Sequence, residues 1–331
     1  MDNVKFKALQ ISEIENNIFK REIVKRSIED LPEGEVLIKV EYSSLNYKDA
    51  LSSIGNKGVT RNYPHTPGID AAGIVVNSTV DQFNKDDMVI VTGYDFGMNT
   101  SGGFAEYIRV PSKWVLKLPE NLSLKESMIY GTGGFTAALS VYKLIQSGIK
   151  KEDGDILVTG ATGGVGSVAV SILSKLGYNI IASTGKMSEK DMLIKLGAKD
   201  IINRKELHDT SGKAMLKGKW AGVIDTVGGN TLATAIKSTN YGGSITCCGN
   251  VGGADFSSSV YPFILRGITL YGVDSVACPM SLRQELWEKL SNEWKIHSLN
   301  DNIDEVTLEE LMVRIDSMLK GQHTGRTIVK L

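Results

Sequence analysis

The stretch 155–166, DILVTGATGGVG, constrains the fold of this chain more than any other. A short apolar run leads into a glycine turn, and apolar residues then recur at helical spacing until Gly177. The glycines stand at Gly160, Gly163 and Gly166, which departs from the usual G-x-G-x-x-G spacing. Such a turn before a helix lets backbone N–H groups and the helix dipole meet a pyrophosphate. The context favours dinucleotide binding, although glycine turns also serve as plain helix boundaries.

Strands and helices alternate after this turn. The predicted strands are 179–183, 200–202, 222–225 and 243–248, and the predicted helices are 189–196 and 231–238, with an irregular segment at 205–217. Alternation of this kind predicts a doubly wound parallel sheet that binds its ligand at the carboxyl ends of the strands. Small residues, such as those at 183–185 and 249–250, follow these strands, as a flat nucleotide lying across the sheet requires.

The first 127 residues have a different pattern, because short β-strand candidates predominate. These candidates are 35–42, 69–76, 88–92 and 104–110, each bounded by turn-forming residues. Their spacing predicts a compact, barrel-like β domain. Ser123 and Glu126 form a capping-box pattern that predicts a helix start. Near the end of the chain, 279–294 and 307–319 are predicted helices, and 325–331 is a closing strand that we expect to return to the first domain.

Composition limits the classes of function. The chain has 331 residues and a net charge of −1, so two domains are expected, with no nucleic-acid-binding surface and no polybasic membrane anchor. An anionic ligand must therefore meet local basic groups. No signal peptide or membrane span is predicted, and three cysteines do not suggest a disulfide framework. The expected location is the cytoplasm.

Several segments carry a resemblance to a known family. They are 43–49 (SSLNYKD), 67–73 (PGIDAAG), 131–137 (GTGGFTA), the glycine turn, 261–267 (YPFILRG), 272–275 (GVDS) and 325–326 (GR). The chain resembles the zinc-free quinone oxidoreductases of the medium-chain dehydrogenase/reductase superfamily, and more narrowly the acrylyl-CoA reductase subgroup. The resemblance implies an α/β fold with a GroES-like β-barrel catalytic domain, 1–127 completed by 270–331, and a Rossmann NADP-binding domain, 128–269, with a doubly wound parallel sheet.

The resemblance also raises the question of zinc. Zinc-dependent relatives use a cysteine near Asn46 and a Gly-His-Glu where this chain has Gly68-Ile69-Asp70. They also carry a four-cysteine lobe near 95–115, a region that contains no cysteine here. A catalytic zinc ion needs about three protein ligands, and the four histidines are scattered along the chain. No metal is expected.

Without a Lewis acid, reduction of an already polarised alkene or quinone is easier than oxidation of an alcohol. Hydride addition to the β-carbon of an unsaturated thioester gives an enolate, whose oxygen needs a hydrogen-bond donor. Tyr47 is the leading candidate catalytic residue, with Asn46 beside it, because both side chains offer such donors. We expect Tyr47 to face the nicotinamide from the first domain. Alternatively, Tyr47 only packs against the cofactor, while Asp49 and Asp70 are more typical of turn or supporting residues.

The second strand of the parallel sheet indicates which nucleotide is used. NAD enzymes place a carboxylate about 20 residues after the glycine turn. Here the strand ends in Ser183, Thr184, Gly185 and Lys186, and Arg204 follows the next strand, which suits the 2′-phosphate of NADPH. Alternatively, Lys186 is merely solvated. The predicted cofactor-binding residues are Tyr47, Thr162, Gly163, Gly164, Val165, Ser183, Thr184, Gly185, Lys186, Arg204, Gly249, Asn250, Phe263, Ser275 and Arg326.

The sequence thus predicts an NADPH-dependent reductase acting on a small α,β-unsaturated thioester such as acrylyl-CoA. The alternatives are an NADPH-dependent quinone oxidoreductase and a nucleotide-binding protein without turnover. Lys57 and Arg61 are candidates for receiving the phosphates of a CoA thioester. The apolar segment 268–274 is a predicted edge strand, and such an edge favours a homodimer.

Overall fold

The computed structural model describes residues 4–297 and 303–331, which form two compact units. The first unit contains the described chain up to Thr132, Val276–Asn292 and 303–331. The second contains Gly133–Ser275 and 293–297. The boundary after Thr132 falls within α2, Leu124–Gln146, which begins with the predicted capping box because Ser123 and Glu126 exchange hydrogen bonds. No helix in the described ranges has the length and apolarity needed to cross a bilayer.

The first unit is built mainly from antiparallel strands. A hairpin pairs β1 with β2, and a seven-stranded sheet has the order β14-β15-β3-β4-β5-β7, with β6 pairing to β3. The strands are β1 Lys5–Glu15, β2 Ile18–Ser27, β3 Val36–Ser44, β4 Asp70–Ser78, β5 Met88–Thr92, β6 Tyr107–Val110, β7 Val115–Lys117, β14 Ile303–Thr307 and β15 Arg326–Lys330. Its other helices are α1 Tyr47–Ser52, α7 Met280–Ser291 and α8 Leu311–Leu319.

Alternating apolar residues along β3 form the face of this sheet that packs on the hydrophobic core. Val36, Ile38 and Val40 lie on one face, as predicted, and each is at most 1% exposed. They pack with apolar residues of β4 and β5, including Val75 and Val89, which are fully buried. The predicted closing strand is confirmed, since β15 pairs antiparallel with β3.

The second unit contains a six-stranded sheet in the order β10-β9-β8-β11-β12-β13, in which every pair is parallel. Its strands are β8 Ile156–Val158, β9 Ile180–Thr184, β10 Asp200–Asn203, β11 Trp220–Asp225, β12 Thr239–Cys247 and β13 Thr269–Gly272. Its helices are α3 Gly164–Lys175, α4 Lys190–Lys195, α5 Gly229–Ser238 and α6 Tyr261–Arg266. The strand order reverses between β8 and β11, which is where such sheets bind ligands.

Several details differ from the sequence-based expectations, and three of them concern the first unit. The hairpin β1–β2 was not predicted; no residue of β2 is buried, so this strand lacks an alternation of buried and exposed positions. The predicted strand 104–110 begins only at Tyr107, since Phe104 and Ala105 instead make isolated backbone contacts with β1. The predicted helix 307–319 begins at Leu311, after the strand β14.

Candidate functional site

The glycine turn connects β8 to α3 in the second unit. Gly163 N–H donates to the Gly160 carbonyl at 2.9 Å, which closes the turn, and α3 begins at Gly164. Gly160 has a φ of +60°, and a Cβ there would lie 2.4 Å from Thr226 Oγ1. A Cβ on Gly166 would lie 2.4 Å from the Gly160 carbonyl oxygen. Side chains are therefore excluded at both positions, and the turn leads directly into the first N–H groups of α3, which is the kind of site that binds a pyrophosphate.

The ends of β9 and β10 bring the predicted 2′-phosphate residues together. Thr184 and Asn203 are in register on these parallel strands, so Gly185 and Arg204 follow side by side. A Cβ on Gly185 would lie 2.7 Å from Arg204 Nε, which places the guanidinium group against the bare glycine backbone. Burial lowers the pKa of Lys186, the next residue, while Glu189 opposes this shift.

Hydroxyl groups join this strand end to the glycine turn. Thr162 Oγ1 lies 3.1 Å from Thr184 Oγ1, and Lys186 N–H donates to Thr184 Oγ1 at 2.9 Å. Ser183 and Thr184 are buried, whereas Arg204 is exposed. The sequence therefore correctly grouped residues that the structure places at adjacent strand ends, and their contact with a nucleotide stays a prediction.

The remaining predicted cofactor residues of this unit lie in different surroundings. Gly249 and Asn250 follow β12, and a Cβ on Gly249 would lie 2.0 Å from the Thr226 carbonyl oxygen. Phe263, in α6, is half-buried and packs against the apolar core of the second unit. Ser275 is half-buried in the segment after β13. The close approach of the Thr226 carbonyl explains why glycine is required at 249. The roles of Phe263 and Ser275 in cofactor binding stay predictions.

A buried polar cluster in the first unit is centred on Asp70, the first residue of β4. Asp70 Oδ2 accepts hydrogen bonds from Ser44 Oγ at 2.5 Å, Asn46 Nδ2 at 2.7 Å and Thr132 N–H at 2.8 Å. Asp70 Oδ1 accepts one from Thr132 Oγ1 at 2.6 Å. Arg326 Nη2 lies 4.0 Å from Asp70 Oδ2. Both carboxylate oxygens are therefore satisfied by protein donors.

Asn46 and Tyr47, the two candidate catalytic residues, occupy contrasting positions. Asn46 precedes α1, and its Nδ2 donates to Asp70 Oδ2 and to the Ser44 carbonyl, at 2.7 and 3.2 Å. Its Oδ1 accepts from Arg326 Nη1 at 3.2 Å. Both amide protons are thus committed inside the cluster, which favours a supporting role for Asn46. Tyr47 is the first residue of α1 and is 41% exposed.

Arg326, predicted to bind the cofactor, is held within this cluster. It is 5% exposed, and its guanidinium also donates to the Ile129 carbonyl at 2.9 Å and to Ser44 Oγ at 2.8 Å. Burial lowers the pKa of Arg326, and the neighbouring carboxylates raise it. The observed bonds account for its burial without a ligand, and its contact with a nucleotide stays a prediction.

Asp49 is the second carboxyl group of the cluster. It accepts hydrogen bonds from the N–H groups of Asn46, Gly68 and Ile69, at 2.8, 3.0 and 2.9 Å. Burial, followed by the charge of Asp70, raises the pKa of Asp49 to about 7, while the three backbone donors favour its ionised form. Sequence reasoning treated Asp49 and Asp70 as turn or supporting residues, without anticipating that they organise one buried cluster. Because their partners are distant along the chain, no local signal could have shown it.

The positions that hold zinc in some relatives do not fit a metal ion here. Asp70 is saturated by four donors, and the Arg326 guanidinium beside it would repel a cation. His65 Nε2 pairs with the Gly97 carbonyl at 3.0 Å, and burial lowers the pKa of this histidine. Within residues 4–297 and 303–331, no group of three His, Cys, Asp or Glu residues is arranged to hold a metal.

The ammonium group of Lys57, a candidate for binding CoA phosphates, already contacts other side chains. Its Nζ lies 4.8 Å from the ring centroid of Tyr63 and 5.8 Å from that of Phe19, and it contacts Glu13 Oε2 at 3.5 Å. These cation–π and ionic contacts occupy the ammonium group within its own unit. Lys57 is therefore a weaker candidate than the sequence suggested.

Family comparisons agree with this architecture. The family model described as "Zinc-binding dehydrogenase" matches residues 164–292, and that described as "Alcohol dehydrogenase GroES-like domain" matches 32–120. The chain belongs to the medium-chain dehydrogenase/reductase superfamily, with a GroES-like domain and a parallel Rossmann sheet. The predicted family and fold class are confirmed.

Individual relatives match almost the whole chain. The chain is 49% identical to the Bacillus subtilis (strain 168) protein named "Putative quinone oxidoreductase YhfP", over 92% of this chain and 93% of YhfP. It is 41% identical to the acrylyl-CoA reductase AcuI of Ruegeria pomeroyi over 98% of both chains. The yhdH oxidoreductase from Salmonella enterica in complex with NADP superposes with a TM-score of 0.95, at 41% identity over 98% of this chain and 99% of that one. A crystal structure of YhfP with NAD bound gives a TM-score of 0.96 at 47% identity, over 99% of this chain and 100% of that one.

Proposed function

We propose that this protein is an NADPH-dependent reductase that transfers hydride to the activated double bond of a small α,β-unsaturated thioester such as acrylyl-CoA. The observation that carries this proposal is the 41% identity with AcuI over 98% of both chains. The bare glycine turn and the cations at Lys186 and Arg204 support the nucleotide part of it. When bound, NADPH supplies the hydride.

The residues of this chain would then act on the charge that develops in the substrate. Addition of hydride to the β-carbon shifts the alkene π pair into a new double bond between the α-carbon and the thioester carbon, and the carbonyl π pair moves onto the oxygen. The resulting enolate then takes up a proton from solvent at its α-carbon. Tyr47 is exposed, and its hydroxyl is the proposed donor to that oxygen. Asn46, held by Asp70 and Arg326, would fix the start of α1 and with it Tyr47.

Reduction of a quinone is the alternative, which the name of YhfP favours. The deciding experiment measures NADPH oxidation by the purified protein with acrylyl-CoA and, separately, with a simple quinone. We expect a higher kcat/KM for the thioester, and an unchanged rate after exhaustive chelation. A higher value for the quinone would overturn the proposed substrate. Tight NADPH binding without turnover of either substrate would instead indicate a binding protein.

The proposed 2′-phosphate site predicts cofactor preference. Replacing Lys186 or Arg204 by alanine should weaken NADPH binding by about 10-fold to 100-fold, because each loses a charge-assisted contact. NADH affinity should change little, since NADH lacks this phosphate. Fluorescence titration of both nucleotides measures the ratio. Lys205→Ala is the matched control, because Lys205 is an exposed neighbour of Arg204. Wild-type protein that binds both nucleotides equally would contradict this assignment.

We also propose a homodimer formed through β13. This strand is the last of the six-stranded sheet and pairs there only with β12 among the described strands, so one of its edges presents backbone donors and acceptors. Beside it in sequence, Tyr261, Ile264 and Leu265 are 49%, 66% and 55% exposed. Light scattering should give twice the 35.9 kDa chain mass. A mass of one chain at working concentration would refute the dimer.

A further inference from the structure

Three strand ends of the parallel sheet converge on Asp225, the last residue of β11. Its side chain is fully buried, and its Oδ1 accepts a hydrogen bond from Thr159 Oγ1 at 2.7 Å. Its Oδ2 accepts from Gly228 N–H at 2.8 Å, and its carbonyl accepts from Cys248 N–H at 3.0 Å. Asp225 therefore bonds to the residues that follow β8, β11 and β12.

Thr159 is the corresponding residue at the end of β8, directly before Gly160. Its side chain is also fully buried, and its Oγ1 accepts from Thr226 N–H at 3.0 Å while donating to Asp225. The Thr159 carbonyl accepts from Thr226 Oγ1 at 2.8 Å. The hydroxyl group thus has an acceptor partner at the end of β11 and a donor partner in the loop that follows.

This arrangement holds the glycine turn against the loop after β11. The position of a Cβ on Gly160 is 2.4 Å from Thr226 Oγ1, so the turn and the loop after β11 are already in close contact. Burial raises the pKa of Asp225, whereas the bonds from Thr159 and from two backbone N–H groups favour its ionised form. An ionised carboxylate with these partners is a strong acceptor.

We propose that Asp225 and Thr159 are positioning residues that hold the glycine turn in the shape that receives the cofactor pyrophosphate. This inference rests on the proposed function. Both side chains are fully buried, so they act through the backbone of the turn rather than on the nucleotide itself. The pyrophosphate is common to NADPH and NADH. Loss of the pair should therefore weaken both nucleotides by the same factor, unlike loss of Lys186 or Arg204.

Thr159→Val tests the proposal, because it keeps the shape of the side chain and removes the hydroxyl. We expect the Kd for NADPH and for NADH to rise together by about 10-fold to 100-fold, because without this bond the turn would adopt the binding shape only a small fraction of the time. Thr159→Ser retains the hydroxyl, so its Kd for each nucleotide should stay within about threefold of the wild-type value. Thr246→Val is the control for general destabilisation, since Thr246 is fully buried in β12 and makes only a long 3.5 Å bond to the Val223 carbonyl.

Other outcomes separate the possible failures. Folded Thr159→Val protein with wild-type affinity for both nucleotides would overturn the inference, as would a loss confined to NADPH. If Thr159→Val does not fold, Asp225→Asn is the second variant. The side-chain carbonyl of the asparagine can still accept from Thr159, but its NH₂ group then faces Gly228 N–H. We expect the same joint rise in Kd for both nucleotides. Unchanged affinity in Asp225→Asn would again refute the pair. Wild-type protein that binds neither nucleotide would refute the proposed function itself.

Discussion

Replacing Tyr47 by phenylalanine should lower kcat for acrylyl-CoA by about 10²–10³, the loss that follows removal of one oxyanion-stabilising donor. The substitution keeps the ring and removes only the hydroxyl, which we propose donates to the substrate oxygen as negative charge develops there. Affinity for NADPH should stay close to wild type. Steady-state kinetics with acrylyl-CoA, combined with an NADPH titration, measure the two effects separately.

Tyr241→Phe is the matched control for this prediction. Tyr241 is 84% exposed in the second unit, so loss of its hydroxyl should leave both kcat and nucleotide affinity unchanged. If Tyr47→Phe retains near-wild-type turnover, Tyr47 is not a catalytic residue and only packs at the site. Hydride transfer would then depend on proximity, with water as the proton source, and the reductase assignment would stand.

Replacing Gly131 by alanine should destabilise the first unit by about 3–5 kcal/mol, the cost of disrupting a buried charged network. Gly131 interrupts α2 with a φ of 49° and a ψ of −155°. A Cβ there would lie 2.5 Å from both Asp70 Oδ2 and Ser44 Oγ, and 2.6 Å from Arg326 Nη2. These three groups are buried and bonded to one another, so none of them can move without losing a partner. Denaturant unfolding followed by circular dichroism measures the loss.

Gly321→Ala measures the cost of a positive φ where no clash occurs. Gly321 has a φ of +67°, yet nothing lies within 4 Å of its Cβ position, so this substitution should cost only about 1–2 kcal/mol. It also lies in the first unit, after α8. Equal losses in the two variants would show that positive φ alone, and not the polar cluster, requires glycine at 131.

Local patterns predicted much of the second unit correctly. The glycine turn, the alternation of strand and helix and the final strand 268–274 all appear, the last as β13 at the sheet edge. Such features depend on neighbours along the chain: apolar periodicity, turn residues and small residues at strand ends. The same holds for Ser123 and Glu126, whose capping bonds join residues three apart.

Local sequence patterns identified only some of the candidate functional residues. The types and positions of Lys186 and Arg204 suggested a phosphate site, since each follows a predicted strand and parallel strands end at one edge of a sheet. Asn46 was chosen for its chemistry alone. The structure shows both of its amide protons bonded inside the first unit, which leaves the exposed Tyr47 as the stronger catalytic candidate.

The sequence by itself determined the glycine turn, the alternation of strand and helix that follows it and most strands of the first unit's sheet, because these depend on short-range propensity and periodicity. Only the tertiary structure decided that Asp70, Asn46 and Arg326 form one buried cluster. Asn46 and Arg326 are 280 positions apart, and they meet because β15 pairs with β3. Once buried, each polar group needs a partner, and which partner it finds depends on strand register and on the break at Gly131. No local pattern contains that information.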